Sequence, residues 1–443
     1  MLKRIFSSVI ILAALVLAGP KVSAQSGEYM AYTPYSIFGI GDLYQQGSAY
    51  HRSMAGVGIA SRDVRYLNSL NPASLPVRDT LSFMLDFSLL NSNTIYKQGG
   101  ISSARNITNI GSMTMSFPIV RNLAMMVGVS PYSAGGYGYS VKETDPAIIA
   151  NTGNITYYDY GQGAMYKLYG GLGYAITKTL SIGAEADYIF GNYGKYFTEK
   201  FEQAGINSVQ DSYALNLRSF TGKFGLQYEQ KLNTKTKLGF GATYTLGSDL
   251  KGTVDYKHQS VGTAETFTVS SKSDTLGANS ASVRLASELG VGVSLNIEDR
   301  IRAEINYSYA DWTGTGMGTA SGFANPACKT PFAAGVRHSF RAGVEYTPDR
   351  FNVRYHWKRY SYRAGTYYTT EYYKVAGNEI GTFGITFGAT LPVRETYLHN
   401  GISLGVDMGQ RGTTKAGLVR ERYIRFCVGL NLHDIWFQKR RYE

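Results

Sequence analysis

One pentapeptide has the spacing of a catalytic nucleophile. Gly401, Ser403 and Gly405 form a G-x-S-x-G pattern, which hydrolases place on a sharp turn between a strand and a helix. Here the pattern lies inside a segment where apolar and polar residues alternate, as they do along a β-strand. A regular strand does not provide the turn that such a nucleophile needs, and we therefore assign no catalytic role to Ser403.

The histidines have no metal-binding spacing. None belongs to an H-E-x-x-H pattern. Either they are ordinary loop residues, or one of them belongs to a catalytic Asp/His or Ser/His site of the kind that some barrel enzymes have near their outer rim. We predict a protein that is not an enzyme and that needs no metal and no cofactor. Cys328 and Cys427 are expected to be free thiols. The histidines are His51, His258, His338, His356, His399 and His433.

Charged side chains recur on the polar face of the alternating segments. Charges of both signs on one face either pair with each other as a polar wall, or form a docking surface for another segment or a polar solute. Both interpretations stay open at this point. The predicted polar wall comprises Glu185, Asp187, Arg302, Glu304, Arg341, Glu345, Arg354, Lys358, Asp407 and Arg425.

The segments that must position these charges have a period of two residues. Apolar residues alternate with polar ones from Leu180 to Phe190, from Ile301 to Tyr309, from Phe351 to Trp357 and from Ile402 to Met408. Successive side chains of a strand point to opposite faces, so each segment has one apolar and one polar face. The tyrosine-rich stretch from Tyr355 to Tyr373 is expected at the outer membrane interface and in the loop above it.

Fourteen such strands are predicted, and the connections between them alternate between short and long. This arrangement is typical of an outer-membrane β-barrel, with tight periplasmic turns and long extracellular loops. A bilayer admits a closed barrel because every backbone N–H and C=O group is paired. The strands are expected near residues 80–90, 107–117, 123–131, 163–174, 180–190, 213–229, 237–247, 283–296, 301–312, 337–347, 351–361, 379–391, 401–409 and 421–432.

The composition agrees with an all-β fold. Of the 443 residues, 51 are glycine and 36 are tyrosine, and only 17% are charged, against about 25% in an average soluble domain. Beyond the N-terminus, no run of apolar residues is long enough to predict a membrane-spanning helix. The basic residues are scattered, so we predict contact with outer-membrane lipid and no nucleic-acid partner.

The N-terminus has the features of a secretory signal peptide. Lys3 and Arg4 precede an apolar segment from Val9 to Ala18, and small residues follow at Val22–Ala24. We therefore predict export to the outer membrane of a Gram-negative cell. The predicted order is a signal peptide (1–24), an N-terminal plug or hatch (25–79), a transmembrane barrel (80–432) and a periplasmic tail (433–443).

The hatch prediction depends on residues 25–79, which do not follow the strand rhythm. A barrel of fourteen strands has a lumen wide enough to need filling or to conduct. Asn71, Pro72 and Ala73 are expected to form a rigid turn in this segment, because proline fixes its backbone angle and asparagine can bond its own backbone. A gating role is the alternative for this turn.

Several stretches resemble the FadL-like outer-membrane proteins, the long-chain fatty acid transporter family. Met54–Ala60 and Leu70–Leu75 resemble the hatch signature of that family, and Ser116–Ile119, Met126–Pro131 and Ala286–Gly292 resemble its strands. The resemblance implies a 14-stranded barrel with an N-terminal hatch. Stretches similar to a Bacteroidota-type branch of the family are Tyr35–Leu43, Gly409–Thr413 and Trp436–Arg440.

The resemblance implies passive transport of a hydrophobic, fatty-acid-like small molecule past the hatch and out through the barrel wall. The alternative is a non-transporting barrel that acts as a scaffold or partner subunit of an outer-membrane secretion or assembly complex. A transporter requires a continuous apolar cavity and an interruption in the wall. A scaffold requires a filled lumen and a broad exposed surface for its partner.

Overall fold

The computed structural model describes residues 31–78, 82–203, 205–262, 266–277, 282–323, 330–393 and 400–435. The predicted signal peptide, Cys328 and most of the predicted C-terminal tail lie outside the described residues. Among the residues it describes, no helix is long and apolar enough to cross a membrane.

Fourteen antiparallel strands form a closed barrel in which the last strand pairs with the first. The predicted all-β barrel of fourteen strands is therefore confirmed. The strands are β1 (Ser82–Gln98), β2 (Ile101–Val120), β3 (Leu123–Lys142), β4 (Ile155–Ala175), β5 (Leu180–Phe201), β6 (Ser208–Lys231), β7 (Thr236–Thr245), β8 (Glu288–Ile297), β9 (Ile301–Asp311), β10 (Val336–Tyr346), β11 (Ser361–Val375), β12 (Asn378–Pro392), β13 (Gly401–Arg411) and β14 (Arg420–Ile435).

Short elements lie before, between and above these strands. Two are α-helical, at Ala49–Arg52 and Pro146–Thr152. An extracellular hairpin of Lys251–Val261 and Thr266–Thr275 continues the sheet beyond the upper half of β6. The remaining short strands are Asp42–Leu43, Ser248–Asp249, Arg284–Leu285 and Phe332–Ala334, and the 3-10 turns are Pro34–Ile37, Pro72–Val77, His356–Arg359 and Lys415–Gly417.

The barrel has apolar side chains outside and polar side chains inside. On β6, Phe220, Phe224 and Leu226 are exposed on the outer face, whereas Thr221 and Gln227 are buried on the inner face. This distribution is the one that a bilayer requires of a barrel. β1 begins and β14 ends at the rim with the short turns. We call this rim periplasmic and the opposite rim extracellular, following the convention for outer-membrane barrels.

Several strands are longer than predicted. The predicted loop at 91–106 is replaced by the two-residue turn of Gly99 and Gly100, which joins β1 directly to β2. Beyond the apolar band the strands continue with polar residues on both faces, as at Ser102 and Ser103 of β2. The apolar alternation therefore ends before the strand does.

The predicted strand at 351–361 is wrong. Residues 347–360 form a periplasmic turn, and the strand that follows is β11. Asp349 and Asn352 bend the chain, because their side chains accept backbone N–H groups of Phe351 and Tyr355 at 3.2 and 2.7 Å. The apolar alternation in this turn is incidental to its fold.

Two further predictions fail with that strand. Arg354 and Lys358 were expected in the polar wall, but they lie on the periplasmic turn outside the lumen, and Arg354 is exposed. The tyrosines up to Tyr373 were expected at the outer interface and in a loop. Instead, Tyr367 and Tyr373 are buried inside the barrel, because β11 begins ten residues later than the predicted strand.

The filled lumen as candidate functional site

Residues 31–78, which we call the hatch, run through the barrel from its extracellular to its periplasmic end. Near the extracellular rim, the strand Asp42–Leu43 pairs with Ser133 and Ala134 of β3. The 3-10 turn Pro72–Val77 packs against β4, β5 and β6 nearer the periplasmic rim. The hatch therefore touches the wall at several heights.

A buried ionic network fixes the hatch near the periplasmic rim. Arg65 of the hatch lies 2.8 Å from Asp63 and 2.5 Å from Glu345 of β10. Glu345 also pairs with Arg363 of β11 at 2.9 Å, and Asp63 pairs with Arg302 of β9. Burial alone would raise the pKa of Asp63, but Arg302 and Arg65 hold it below its usual value. Hatch and wall therefore share one set of buried charges.

The Asn71–Ala73 turn is fastened to the wall on both sides. The Asn71 side chain donates to the carbonyls of Ile59 at 2.7 Å and Leu226 at 3.2 Å, and it accepts the Ala73 N–H at 3.0 Å. The Ala73 carbonyl accepts the hydroxyl of Ser181 on β5 at 2.7 Å. These contacts join the turn to β5 and β6 and to the rest of the hatch.

Two further charges of the predicted polar wall hold backbone groups of the hatch. Glu304 of β9 accepts the Ala60 N–H at 2.9 Å. Arg341 of β10 donates to the Ala55 carbonyl at 2.9 Å. Together with Arg302 and Glu345, these residues contact the hatch directly.

The other wall charges contact neighbouring strands. Glu185 and Asp187 lie 2.8 and 3.5 Å from Lys167 of β4. Asp407 lies 3.5 Å from Arg425 of the adjacent strand. For these four residues, the polar-wall interpretation describes the observed contacts.

Glycines on the inner face let the hatch backbone approach the wall. A β-carbon at each of them would lie closer than 3.0 Å to a hatch atom, so a larger residue requires the hatch to move. They occur on strands around most of the barrel, which makes the fit continuous. These glycines are Gly173, Gly183, Gly225, Gly241, Gly290, Gly343, Gly365, Gly388 and Gly429.

An apolar cluster closes the extracellular mouth. The N-terminal part of the hatch packs there against the 312–323 loop and β11. Lys195 of β5 ties these segments together by donating to the carbonyls of Ile37 at 3.0 Å and Phe323 at 3.1 Å. The fully buried members of the cluster include Phe38, Ile40, Val283, Met317, Phe323, Tyr372 and Tyr373.

Two cavities between hatch and wall are lined by charged residues. Apolar side chains such as Leu43 also line both cavities, so each lining is mixed. The first, of about 140 Å³, is lined by Arg52, Arg105, Asp407, Arg411, Glu421 and Arg425, among others. The second, of about 170 Å³, is lined by Lys167, Asp187, Lys223, Glu288, Arg337 and Arg341, among others.

The barrel wall is interrupted between β2 and β3. The two strands pair only over Met113–Val120 of β2, next to the periplasmic turn. Beyond a bulge after Pro131, β3 instead pairs with the hatch at Asp42–Leu43, and its Tyr132 carbonyl accepts the Tyr44 N–H at 2.8 Å. This is the interruption that a lateral exit requires.

The sequence reasoning missed several residues that hold the hatch. Asp63 and Arg65 lie in a segment without period, and Lys195 and Arg363 lie in segments predicted as loops. Arg411 pairs with Asp42 of the hatch at 2.6 Å. Arg411 could have been predicted as a lumen residue, because it lies on the same alternating face of β13 as Asp407.

His51 of the hatch is buried. Its Nδ1 accepts the Ser48 N–H at 3.3 Å and lies 2.9 Å from the Ser48 hydroxyl. Burial and the nearby Arg363 lower the pKa of His51 to about 3. This histidine therefore helps to cap the helix Ala49–Arg52, and the contacts give it no role as a metal ligand.

The family model of BamG matches residues 1–443. No curated protein matches the chain. Among solved structures, the chain is similar to the CymD monoaromatic hydrocarbon channel, at 13% identity and a TM-score of 0.60, over 90% of this chain and 99% of CymD.

Two further solved structures resemble the chain. The Pseudomonas putida toluene transporter TodX is 14% identical, with a TM-score of 0.58 over 89% of this chain and all of TodX. A Pseudomonas aeruginosa FadL homologue is 11% identical, with a TM-score of 0.55 over 90% of this chain and all of the homologue. These likenesses support the FadL-like fold predicted from the sequence. Membership of a Bacteroidota-type branch stays a prediction.

Proposed function

The chain belongs to the BamG family, and we propose that it is a non-transporting outer-membrane barrel that acts as a partner subunit of a larger outer-membrane complex. The filled lumen carries this proposal. The hatch is held by buried ion pairs at both ends, through Glu345 and Arg411, and an apolar cluster closes the mouth. Moving such a hatch would break both pairs and would separate Asp42 from the buried Arg411, and the loss of a buried partner of this kind costs about 3–5 kcal/mol.

The apolar outer face and the paired backbone of the barrel support a location in the outer membrane. The apolar outer face needs lipid around it, and a closed barrel leaves few backbone groups unpaired. The signal peptide expected at residues 1–24 would direct export. We therefore propose outer-membrane lipid as the surroundings of the barrel and a second protein as its specific partner.

The extracellular hairpin supports a partner-binding role. Its second strand, Thr266–Thr275, is exposed along almost its whole length, and within the described residues it pairs on one edge only. Phe267 and Val269 are 57% and 64% exposed on one face of this strand. An open edge with apolar side chains is a surface to which an extended segment of another protein can add.

We expect the full-length chain, purified from its native outer membrane in mild detergent, to carry a stoichiometric protein partner. Replacing Phe267 and Val269 by lysine is expected to remove that partner, because charges on an exposed strand oppose pairing. Size-exclusion chromatography with quantitative protein staining gives the stoichiometry.

Val141→Lys is the matched control, since Val141 is also exposed at the extracellular end of a strand, at 56%. It should retain the partner. A chain that elutes alone and carries bound hydrophobic molecules would contradict the proposal.

Passive transport of a hydrophobic small molecule is the second candidate. The interruption between β2 and β3 supports it, because pairing stops beyond Met113 and a molecule could leave sideways there. The adjacent cavity has a mixed lining, in which Ile107 suits a hydrophobic molecule whereas Arg105 and Arg425 do not. This candidate needs the Asp42–Leu43 strand to leave β3 during passage, and a disulfide between the two strands would prevent that movement.

A further inference from the structure

The periplasmic turn of residues 347–360 is longer than the other fully described periplasmic turns. The others have two to four residues, at 121–122, 176–179, 232–235 and 298–300. The 14-residue turn is nevertheless well folded. The Asp349 N–H donates to the Lys358 carbonyl at 2.9 Å and closes the turn at its base. The turn is therefore a folded insertion at a rim where the other described turns are tight.

The turn presents large apolar side chains to its surroundings. Phe351 is 82% exposed and Val353 is 92% exposed, and both exceed the outward-facing residues of the barrel strands. Tyr355 and Trp357 follow with 42% and 53% exposure. Apolar side chains this exposed on a folded turn indicate that something covers them.

Positive charge surrounds these apolar residues. The turn contains Arg350, Arg354, Lys358 and Arg359 against the single acid Asp349, whose carboxylate is engaged by Asn352 and the Phe351 N–H. Lys358 lies over the rings of Tyr355 and Trp357, at 5.1 and 5.7 Å from their centroids. Cations and aromatic rings therefore form one surface, and its charge fits an anion.

The turn lies beside the outer wall of the barrel. The hydroxyl of Tyr362 donates to the Trp357 carbonyl at 3.0 Å. Tyr362 points outward, since its neighbour Arg363 on β11 points into the lumen, and Tyr346 of β10 is exposed beside this end of the barrel. The turn is thus placed where the apolar outer face meets the periplasmic side of the bilayer.

We propose that residues 350–359 bind the headgroups of anionic phospholipids in the periplasmic leaflet. Arg354 and Lys358 contact the phosphates, Trp357 lies at headgroup depth, and Phe351 and Val353 enter the acyl region. Aromatic and basic side chains at this depth are stabilised by an apolar layer on one side and an anionic layer on the other. The position against the outer wall favours lipid over an acidic protein, which would be met farther from the bilayer.

The proposal is testable because Trp357 can be made the sole reporter. The chain has three tryptophans, and W312F together with W436F leaves Trp357. The full mature chain is reconstituted into phosphatidylcholine vesicles that contain brominated phosphatidylglycerol or brominated phosphatidylcholine in varied proportion. Bromine quenches tryptophan fluorescence on contact, so the quenching curves give the relative affinity for the two lipids.

We expect a preference for phosphatidylglycerol of roughly tenfold or more, which falls as salt is raised. R354E with K358E should bring the preference close to one, and R354Q with K358Q should give an intermediate value. The matched control is K200E with K257E, which reverses two exposed charges at the extracellular end. The control should keep the preference.

Two results would overturn the proposal. Equal quenching by both lipids would show that the turn has no anion site. Absence of quenching by either lipid would show that Trp357 projects away from the bilayer, and the occupant would then be a periplasmic protein. Neither result bears on the partner proposed for the extracellular hairpin, because that test uses a different surface and a different readout.

Discussion

Glu345→Gln is expected to lower the free energy of unfolding of the barrel by about 3–5 kcal/mol. Glu345 is 1% exposed and pairs with both Arg65 and Arg363. The glutamine keeps the size of the side chain but leaves the buried guanidinium of Arg363 without a carboxylate and leaves Arg65 with Asp63 alone. Urea unfolding in detergent micelles, followed by tryptophan fluorescence, measures the change.

Glu379→Gln is the matched control for this substitution. It breaks a single ion pair with Lys374 that lies on the exposed surface, and a change within about 0.5 kcal/mol is expected. A double variant with Arg65→Gln should lose less than the two single variants together, because the partners form one network. Strict additivity, or equal effects of Glu345→Gln and its control, would contradict the assigned role.

Gly183→Val is expected to dislodge the hatch. A β-carbon at Gly183 lies closer than 3.0 Å to backbone atoms of Pro72 and Ala73, and backbone gives way less readily than the end of a flexible side chain. Overpacking of this kind costs about 1–3 kcal/mol or more. Limited trypsin digestion should then cleave the hatch at Arg62 or Arg65 within minutes, while the wild-type hatch resists.

Gly170→Val provides the comparison for Gly183→Val. Gly170 lies on β4, and a β-carbon there meets no atom within 4 Å. The hatch of this variant should resist trypsin as the wild type does. If both valine variants behave alike, the close fit between hatch and wall does not hold the hatch in place.

The wall charges could be predicted because a strand has a simple period. Glu304, Arg341 and Glu345 lie on the polar phase of strands whose apolar phase is unmistakable, so the sequence alone placed them in the lumen. Their partners Ala55 and Ala60 could not be predicted. Apolar and polar residues of the hatch do not alternate with a fixed period. The contacts are made by backbone carbonyl and N–H groups, which almost every residue has, so the residue type does not indicate them.

The errors have two physical causes. Lys195 was missed because β5 extends beyond the apolar band, where apolar and polar residues no longer alternate. Arg363 was missed because β11 begins later than the alternation that predicted its strand. Arg354 was misplaced because a turn held by Asp349 and Asn352 mimics the alternation of a strand. In the first case, the strand continues where neither face needs to be apolar. In the second case, side-chain hydrogen bonds fold the chain into a turn although its apolar residues alternate.

Locking the hatch to the wall tests the central claim most directly. Leu43 and Ser133 are partners in the pairing of hatch and β3, and L43C with S133C, on a background of C328S and C427S, joins them by a disulfide. Uptake of radiolabelled oleate is measured in cells whose own copy of the chain is replaced by this variant, oxidised or reduced. The filled, static lumen predicts the same uptake in both states, whereas uptake that falls on oxidation and returns on reduction would contradict it.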